Sequence, residues 1–378
     1  MLTPSGGAGY AIDDEDNLVS VFNTGKDGKG LVDTLVQDAL EKGALRLDAY
    51  DPVLTKMYAK NGFHPVARMR FDDQYAPEGW DFNAVSADEV ARRLDSISLA
   101  GANSTLLRDC LAASCDNARY WQEPDGTDVL AATDSMMRSL TRVAEHVASS
   151  HCTSWWRQPV QRNEQWSTTW EGDFDASPSI DPIGLLRSTR AGIIEEERTA
   201  HIERPADPTA NWSGDWWSSP AAALTSSTRL LDGTSPANLW FVEDSFGWDH
   251  AQTIKVKIPR EANIYEIDSA DAWASLCKRF PIEVTAQVRH DWYRTTGRSG
   301  MWVMPDWLRV AEHYNAVHLQ VQAYLCAAGT AIPITEHTAS VIAGWNPDQT
   351  YWFTPEIAWS GDPVRWERRE DDGWYICG

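Results

Sequence analysis

Two short apolar runs open the chain, at 9–12 and 18–22. Turn formers fill 13–17 between them, so the pattern predicts a β-hairpin. Apolar residues then recur at Leu31, Leu35, Val36, Ala39 and Leu40, the spacing of one helix face, and Gly43 closes that helix. Residues 45–50 read as a strand, 53–59 as a short helix ending at Asn61-Gly62, and 63–71 as a strand. Ser86-Ala-Asp-Glu89 is a capping box ahead of a helical stretch through Val90, Leu94, Ile97 and Leu99. A break at 101–103 leads to a second helix over 106–121, and a turn at 124–126 to a third. The third carries the stripe Val129, Met136, Met137, Leu140, Val143 and Val147.

Beyond residue 150 the pattern changes. Residues 151–220 hold few apolar runs and many Trp, Pro, Ser and acidic residues. Strand-like runs follow at 224–230, 239–242, 253–258, 263–267, 316–321, 340–343 and 350–353. Helices are expected at 270–279, capped by Ser269, and at 307–314. The expected class is α+β, in three parts. They are a small α/β segment at 1–83, a helical connector or bundle at 84–150, and a larger Trp-rich domain at 151–378 with a curved or split antiparallel sheet.

Composition sharpens this picture. Of 20 tryptophans, 18 fall after residue 150. Packing is the default use for so much ring area, and stacking on a planar ligand is the alternative. The net charge of −22 disfavours duplex nucleic acid and anionic membranes as partners. The start, MLTPSGGAGY, lacks a secretory pattern and no apolar run is long enough to span a bilayer, so a soluble, cytoplasmic chain is expected. The six cysteines show no zinc spacing, and His313 and His318 do not form a metal pair. His290-Asp291-Trp292-Tyr293-Arg294 is a polar-aromatic cluster suited to the lip of a site.

The loop Gly25-Lys26-Asp27-Gly28-Lys29-Gly30 leads into a helix, and such a loop can cradle phosphate with its N–H groups and the helix dipole. Strand, glycine loop, helix, strand, then Tyr58-Ala-Lys-Asn-Gly62-Phe63 and a strand resemble the GNAT family of N-acetyltransferases. The resemblance implies acetyl-CoA bound at Gly28 and Gly30, with Tyr58 protonating the departing thiolate. The family's first strand and two helices have no counterpart upstream. The segment therefore looks like the truncated GNAT-like pieces of multidomain proteins from bacteriophages and mobile elements, which adds host-cell cytoplasm or a virion as settings.

Residues 180–355 offer arginines in Leu185-Leu-Arg187-Ser-Thr-Arg190, hydroxyls in Thr225-Ser-Ser227-Thr228-Arg229, and polar residues in Gly344-Trp-Asn-Pro-Asp348-Gln349-Thr-Tyr-Trp352. Their order resembles the ADP-ribosyltransferase superfamily. The resemblance implies NAD as cofactor, with Arg187 or Arg190 on an early strand, Ser227 and Thr228 on a middle strand, and Asp348 or Gln349 near a late one. The family's usual glutamate is not in that last run, so Glu266 or Glu312 would take its place. The chemistry fits these residue types. Cleaving the nicotinamide–ribose bond builds an oxocarbenium-like sugar that a carboxylate stabilises, and an arginine fork suits a pyrophosphate. The expected function is an NAD-dependent ADP-ribosyltransferase-like effector. The alternatives are a non-catalytic virion or host-interaction protein and a CoA-dependent N-acyltransferase. The acceptor and the oligomeric state are not legible in the sequence.

Overall fold

The computed structural model describes residues 2–3, 8–13, 16–23, 31–47, 58–64, 86–124, 126–171, 181–243, 248–369 and 373–377. The chain divides into two compact units, Met1–Ala84 and Val85–Gly378.

In the first unit, strands β1 (Ala8–Ile12) and β2 (Leu18–Asn23) pair antiparallel, and helix α1 (Leu31–Glu41) follows. Leu35, Val36 and Ala39 of α1 pack with Tyr10, Leu18 and Tyr58. Gly43 ends the helix at φ +97, a conformation that costs glycine little because it has no Cβ. The strand expected at 45–50 is represented by a single parallel bridge, Asn17 to Arg46. Residues 24–30, 48–57 and 65–71, on which the glycine loop and most of the expected 53–59 helix and 63–71 strand fall, lie outside the described residues.

The second unit begins with α2 (Ala87–Ser96), α3 (Ser104–Asp116), α4 (Gly126–Ala131) and α5 (Asp134–Ser149). The Ser86 hydroxyl accepts the Glu89 N–H at 3.2 Å, the first half of the capping box. Helix α3 stops short of the expected 121 because the Asn117 side chain folds back onto the Ala113 carbonyl at 2.7 Å. The expected third helix is two helices, parted at 132–133. Leu107, Leu111 and Cys115 share one core with Trp156, Leu186 and Phe241, so the helical stretch belongs to the second unit rather than linking two others.

Next come β3 (Gln165–Trp170), α6 (Pro182–Glu203), β4 (Ser226–Leu231), β5 (Ser235–Pro236), β6 (His250–Lys257), β7 (Ile264–Ile267) and α7 (Ala270–Arg279). Then follow β8 (Pro281–Glu283), α8 (Thr285–Thr296), β9 (Met301–Pro305), α9 (Trp307–Ala311), β10 (Ala316–Leu319) and α10 (Val321–Ala327). The last elements are β11 (Ile332–Pro333), β12 (Thr338–Ser340), β13 (Thr350–Trp352), β14 (Ala358–Arg368) and β15 (Trp374–Ile376). The large sheet runs β15-β14-β6-β3-β4-β13-β10-β7, with β5 against β4. Its pairs are antiparallel except β10 with β7. A smaller sheet runs β11-β12-β9-β8. The fold is α+β with mixed sheets.

Helices α6, α8 and α10 are absent from the expected pattern, and each has a reason. Helix α6 buries only Pro182, Leu186 and Ala200, too little for a clear stripe. Helix α8 buries His290 and Asp291 beside Trp292, so its inner face does not read as apolar. Helix α10 is short. The strand expected at 239–242 is instead a 3-10 turn, Ala237–Leu239, followed by irregular chain.

Tryptophans form much of the interior. Trp273, Trp307 and Trp345 contact one another, with ring centroids 6.1, 6.3 and 5.7 Å apart. Their N–H groups find acceptors at Ser340 Oγ, the Ser218 carbonyl and the Gln349 carbonyl, which removes the penalty of burying an indole nitrogen unpaired.

Candidate functional site

The middle of the large sheet brings four charged side chains into one chain of contacts. Strand register places them. His318 of β10 lies opposite Glu266 of β7 in the parallel pair, and Thr350 of β13 faces both His318 and Ser227 of β4. Asp348 precedes β13 with φ +63, a left-handed conformation that a residue with a Cβ rarely adopts. Its N–H donates to the Leu319 carbonyl at 2.8 Å. This turn aims both carboxylate oxygens inward. Oδ2 accepts the Arg229 backbone N–H at 3.0 Å and Oδ1 accepts Arg229 Nε–H at 2.7 Å. His318 Nε2 lies 3.4 Å from Asp348 Oδ1, and His318 Nδ1 lies 2.6 Å from Glu266 Oε2. The Glu266 oxygens also accept the Val160 N–H at 3.0 Å and Gln320 Nε2–H at 3.4 Å. Arg229 donates from Nη2 to the Pro159 carbonyl at 3.3 Å, and its guanidinium stands 4.9 Å from the Trp155 ring centre.

Charges alternate along this chain: Arg229, Asp348, His318, Glu266. The first three side chains are buried, whereas that of Glu266 is 24% exposed. For His318, burial alone would favour the neutral ring. The hydrogen bonds and negative charges of Asp348 and Glu266 override it and hold the imidazolium up to about 9. For Glu266, burial alone would favour the protonated acid. The bond to His318, the imidazolium charge and the Val160 N–H outweigh burial, so its pKa lies below the ordinary value. Asp348 is held low in the same way, against full burial, by His318 and Arg229.

The residues singled out in the sequence divide into two groups. Ser227, Thr228, Asp348 and Gln349 meet at this part of the sheet. Ser227 donates to Gln165 Oε1 at 2.7 Å and accepts Trp352 Nε1–H at 2.8 Å. Thr228 accepts the Asn238 N–H at 3.1 Å, and Gln349 donates to Ser226 Oγ at 3.1 Å. These buried hydroxyl and amide groups join neighbouring segments and are turned away from solvent. Arg187 and Arg190 are on α6, not on a strand. Arg187 is exposed, and Arg190 pairs with Asp306 at 2.7 Å rather than facing Asp348. The arginine that does face Asp348 is Arg229, the next residue after Thr228. Glu266, not Glu312, is the acid in this network; Glu312 closes α9. His290, Asp291 and Trp292 are buried in α8, with Asp291 accepting from Ser213, Gly214 and Arg294, so this cluster is interior rather than a lip.

In the first unit, Gly28 and Gly30 lie outside the described residues. Tyr58 is buried against Phe63, with ring centroids 6.1 Å apart, and burial raises its phenol pKa.

Sequence reasoning passed over Arg229 and His318 as site residues. One signal was present: His318 is a single polar residue in the otherwise apolar strand Ala316-Val-His-Leu319, and such a residue needs partners when buried.

The arrangement limits the chemistry. Both His318 nitrogens face carboxylates, so the ring does not activate a serine or cysteine nucleophile. Glu266 is an ionised carboxylate at the outer end, suited to offsetting developing positive charge and unsuited to giving up a proton at neutral pH. Among the described residues, no group of three His, Cys, Asp or Glu side chains is placed to hold a metal. Arg229 is committed to Asp348 and Pro159. Arg162 is exposed on the loop that passes through Val160, and it donates to the Ala262 carbonyl at 2.8 Å. In comparisons with known proteins, the chain matches no family model, no curated protein and no solved structure.

Proposed function

We propose that the second unit is an NAD-dependent, ADP-ribosyltransferase-like enzyme, with Glu266 as the carboxylate that stabilises the ribosyl oxocarbenium. The observation that carries this reading is Glu266 itself, the one partly exposed member of the buried chain, kept anionic by His318. Loss of nicotinamide leaves positive charge on the ribose, and a fixed anion beside it lowers the barrier because it needs no reorganisation during the reaction. Arg162 takes the pyrophosphate, the role that Arg187 and Arg190 were expected to fill.

Calorimetry with NAD and an assay of nicotinamide release test the proposal. Wild-type protein is expected to bind NAD and release nicotinamide. Glu266→Gln is expected to lower turnover about a hundredfold or more while keeping NAD affinity. Absence of both NAD binding and nicotinamide release in the wild-type protein overturns it.

A second reading is favoured by one observation: both oxygens of Glu266 and both of Asp348 already accept hydrogen bonds within the protein. On that reading the chain is a structural clamp in a non-catalytic interaction protein. Glu266→Gln then changes stability only.

A further inference from the structure

We propose, building on the NAD reading, that His318 is a positioning residue: it ties Glu266 to the buried Asp348–Arg229 pair and so holds the Glu266 carboxylate as a fixed anion at the outer end of the network.

The contacts close into a ring. Glu266 bonds to His318, His318 meets Asp348, and Asp348 accepts twice from Arg229. Arg229 donates to the Pro159 carbonyl, and the next residue, Val160, donates its N–H back to Glu266. Four separate segments (β4, the turn before β13, β10 and β7) and the 159–160 loop are locked by this one circuit. Two cations and two anions alternate around it, so it is neutral as a set. Asp348 adopts its left-handed backbone in the course of aiming both oxygens at Arg229 and His318. That conformation is costly for a non-glycine residue, and the surrounding bonds hold it in place.

Position within the ring gives His318 its role. It is the only cation between two carboxylates. Without its charge, Glu266 faces Asp348 across a gap with no counter-ion, and burial pushes it toward the neutral acid. Other groups cannot compensate. Val160 and Gln320 supply neutral donors, Arg229 is engaged by Asp348, and Arg162 points to the Ala262 carbonyl. On the strand's own side, Asp268 accepts from Ser269, and Tyr265 donates to the Ala272 carbonyl.

The test is a carbon-detected NMR titration of full-length protein labelled at glutamate carboxyls, with the Glu266 signal assigned by its loss in Glu266→Gln. In wild type, Glu266 is expected to titrate below the ordinary glutamate value. In His318→Gln its midpoint is expected to rise by about one unit or more. His313→Gln, a surface change, is expected to leave it in place. An ordinary Glu266 midpoint in wild type overturns the proposal, even if no His318 variant folds. An unchanged midpoint in folded His318→Gln also overturns it. In parallel, the acid limb of nicotinamide release is expected to shift upward with the Glu266 midpoint, with KM for NAD changing less than about threefold. If wild type releases no nicotinamide, the NAD reading falls, and the titration still decides the role of His318.

Discussion

At the scale of single residues, the protein carries a pH signature. The His318 pKa is raised on folding, so its contribution to stability is complete below the ordinary histidine value of about 6.5 and is lost as pH rises through about 9. Glu266 and Asp348 are lowered, so their contributions are present above the ordinary carboxylate values and are lost as pH falls through their depressed ones. The urea midpoint is therefore expected to be highest between roughly pH 5 and 6.5 and to decline toward pH 9. In His318→Gln the decline between pH 6.5 and 9 should flatten. Equal alkaline slopes in the two proteins would show that another group sets them. Asp348 and Gln349 stood out in the sequence only through the order of motifs that resembles the ADP-ribosyltransferases. That order did not make Arg229 preferable to Arg187 or Arg190. An arginine's role follows from its partner, and Arg229 meets a carboxylate 119 residues away.

At the scale of elements, helix ends separate what is local from what is not. Helix α7 is capped by Ser269, whose hydroxyl accepts the Ala272 N–H at 3.2 Å, and both the cap and the helix were legible because they are adjacent in sequence. Helix α8 has no side-chain cap of its own at Val284. Instead Glu197 of α6 reaches across and accepts the N–H groups of Ala286 at 2.8 Å and Gln287 at 3.0 Å. The carboxylate also complements the helix dipole. Nothing in the run Glu195-Glu196-Glu197 marks its last member as a cap, because its partner is 89 residues further on. Glu197→Ala is expected to cost about 1 kcal/mol, the usual worth of a lost N-terminal cap. Chemical denaturation measures this directly. A cost near zero would mean that water replaces the carboxylate without loss.

At the scale of the whole molecule, the chain is two compact units parted at 84/85. The helices of 86–149 contribute Leu107, Leu111 and Cys115 to the same core as Trp156, Trp273, Trp307 and Trp345. Residues 85–378 expressed alone are therefore expected to fold cooperatively, with the tryptophan emission and thermal midpoint that the second unit has in the full chain. A cut at 150 should fail, because it removes one wall of that core. A stable 151–378 fragment with native emission would contradict this account.

The sequence by itself determined the α+β class and the elements whose causes are local. These are the 8–23 hairpin, the helix with Leu35, Val36 and Ala39 inward, the Ser86 N-cap and the Ser269-capped helix. In each, turn chemistry, periodicity and capping act within a few residues. Tertiary structure alone decided which charges meet. His318 and Glu266 become neighbours through a parallel strand pair spanning 52 residues. Glu197 becomes a cap only once α6 lies beside α8. Register and packing bring such groups within hydrogen-bond distance, and neither is encoded by the spacing of the residues along the chain.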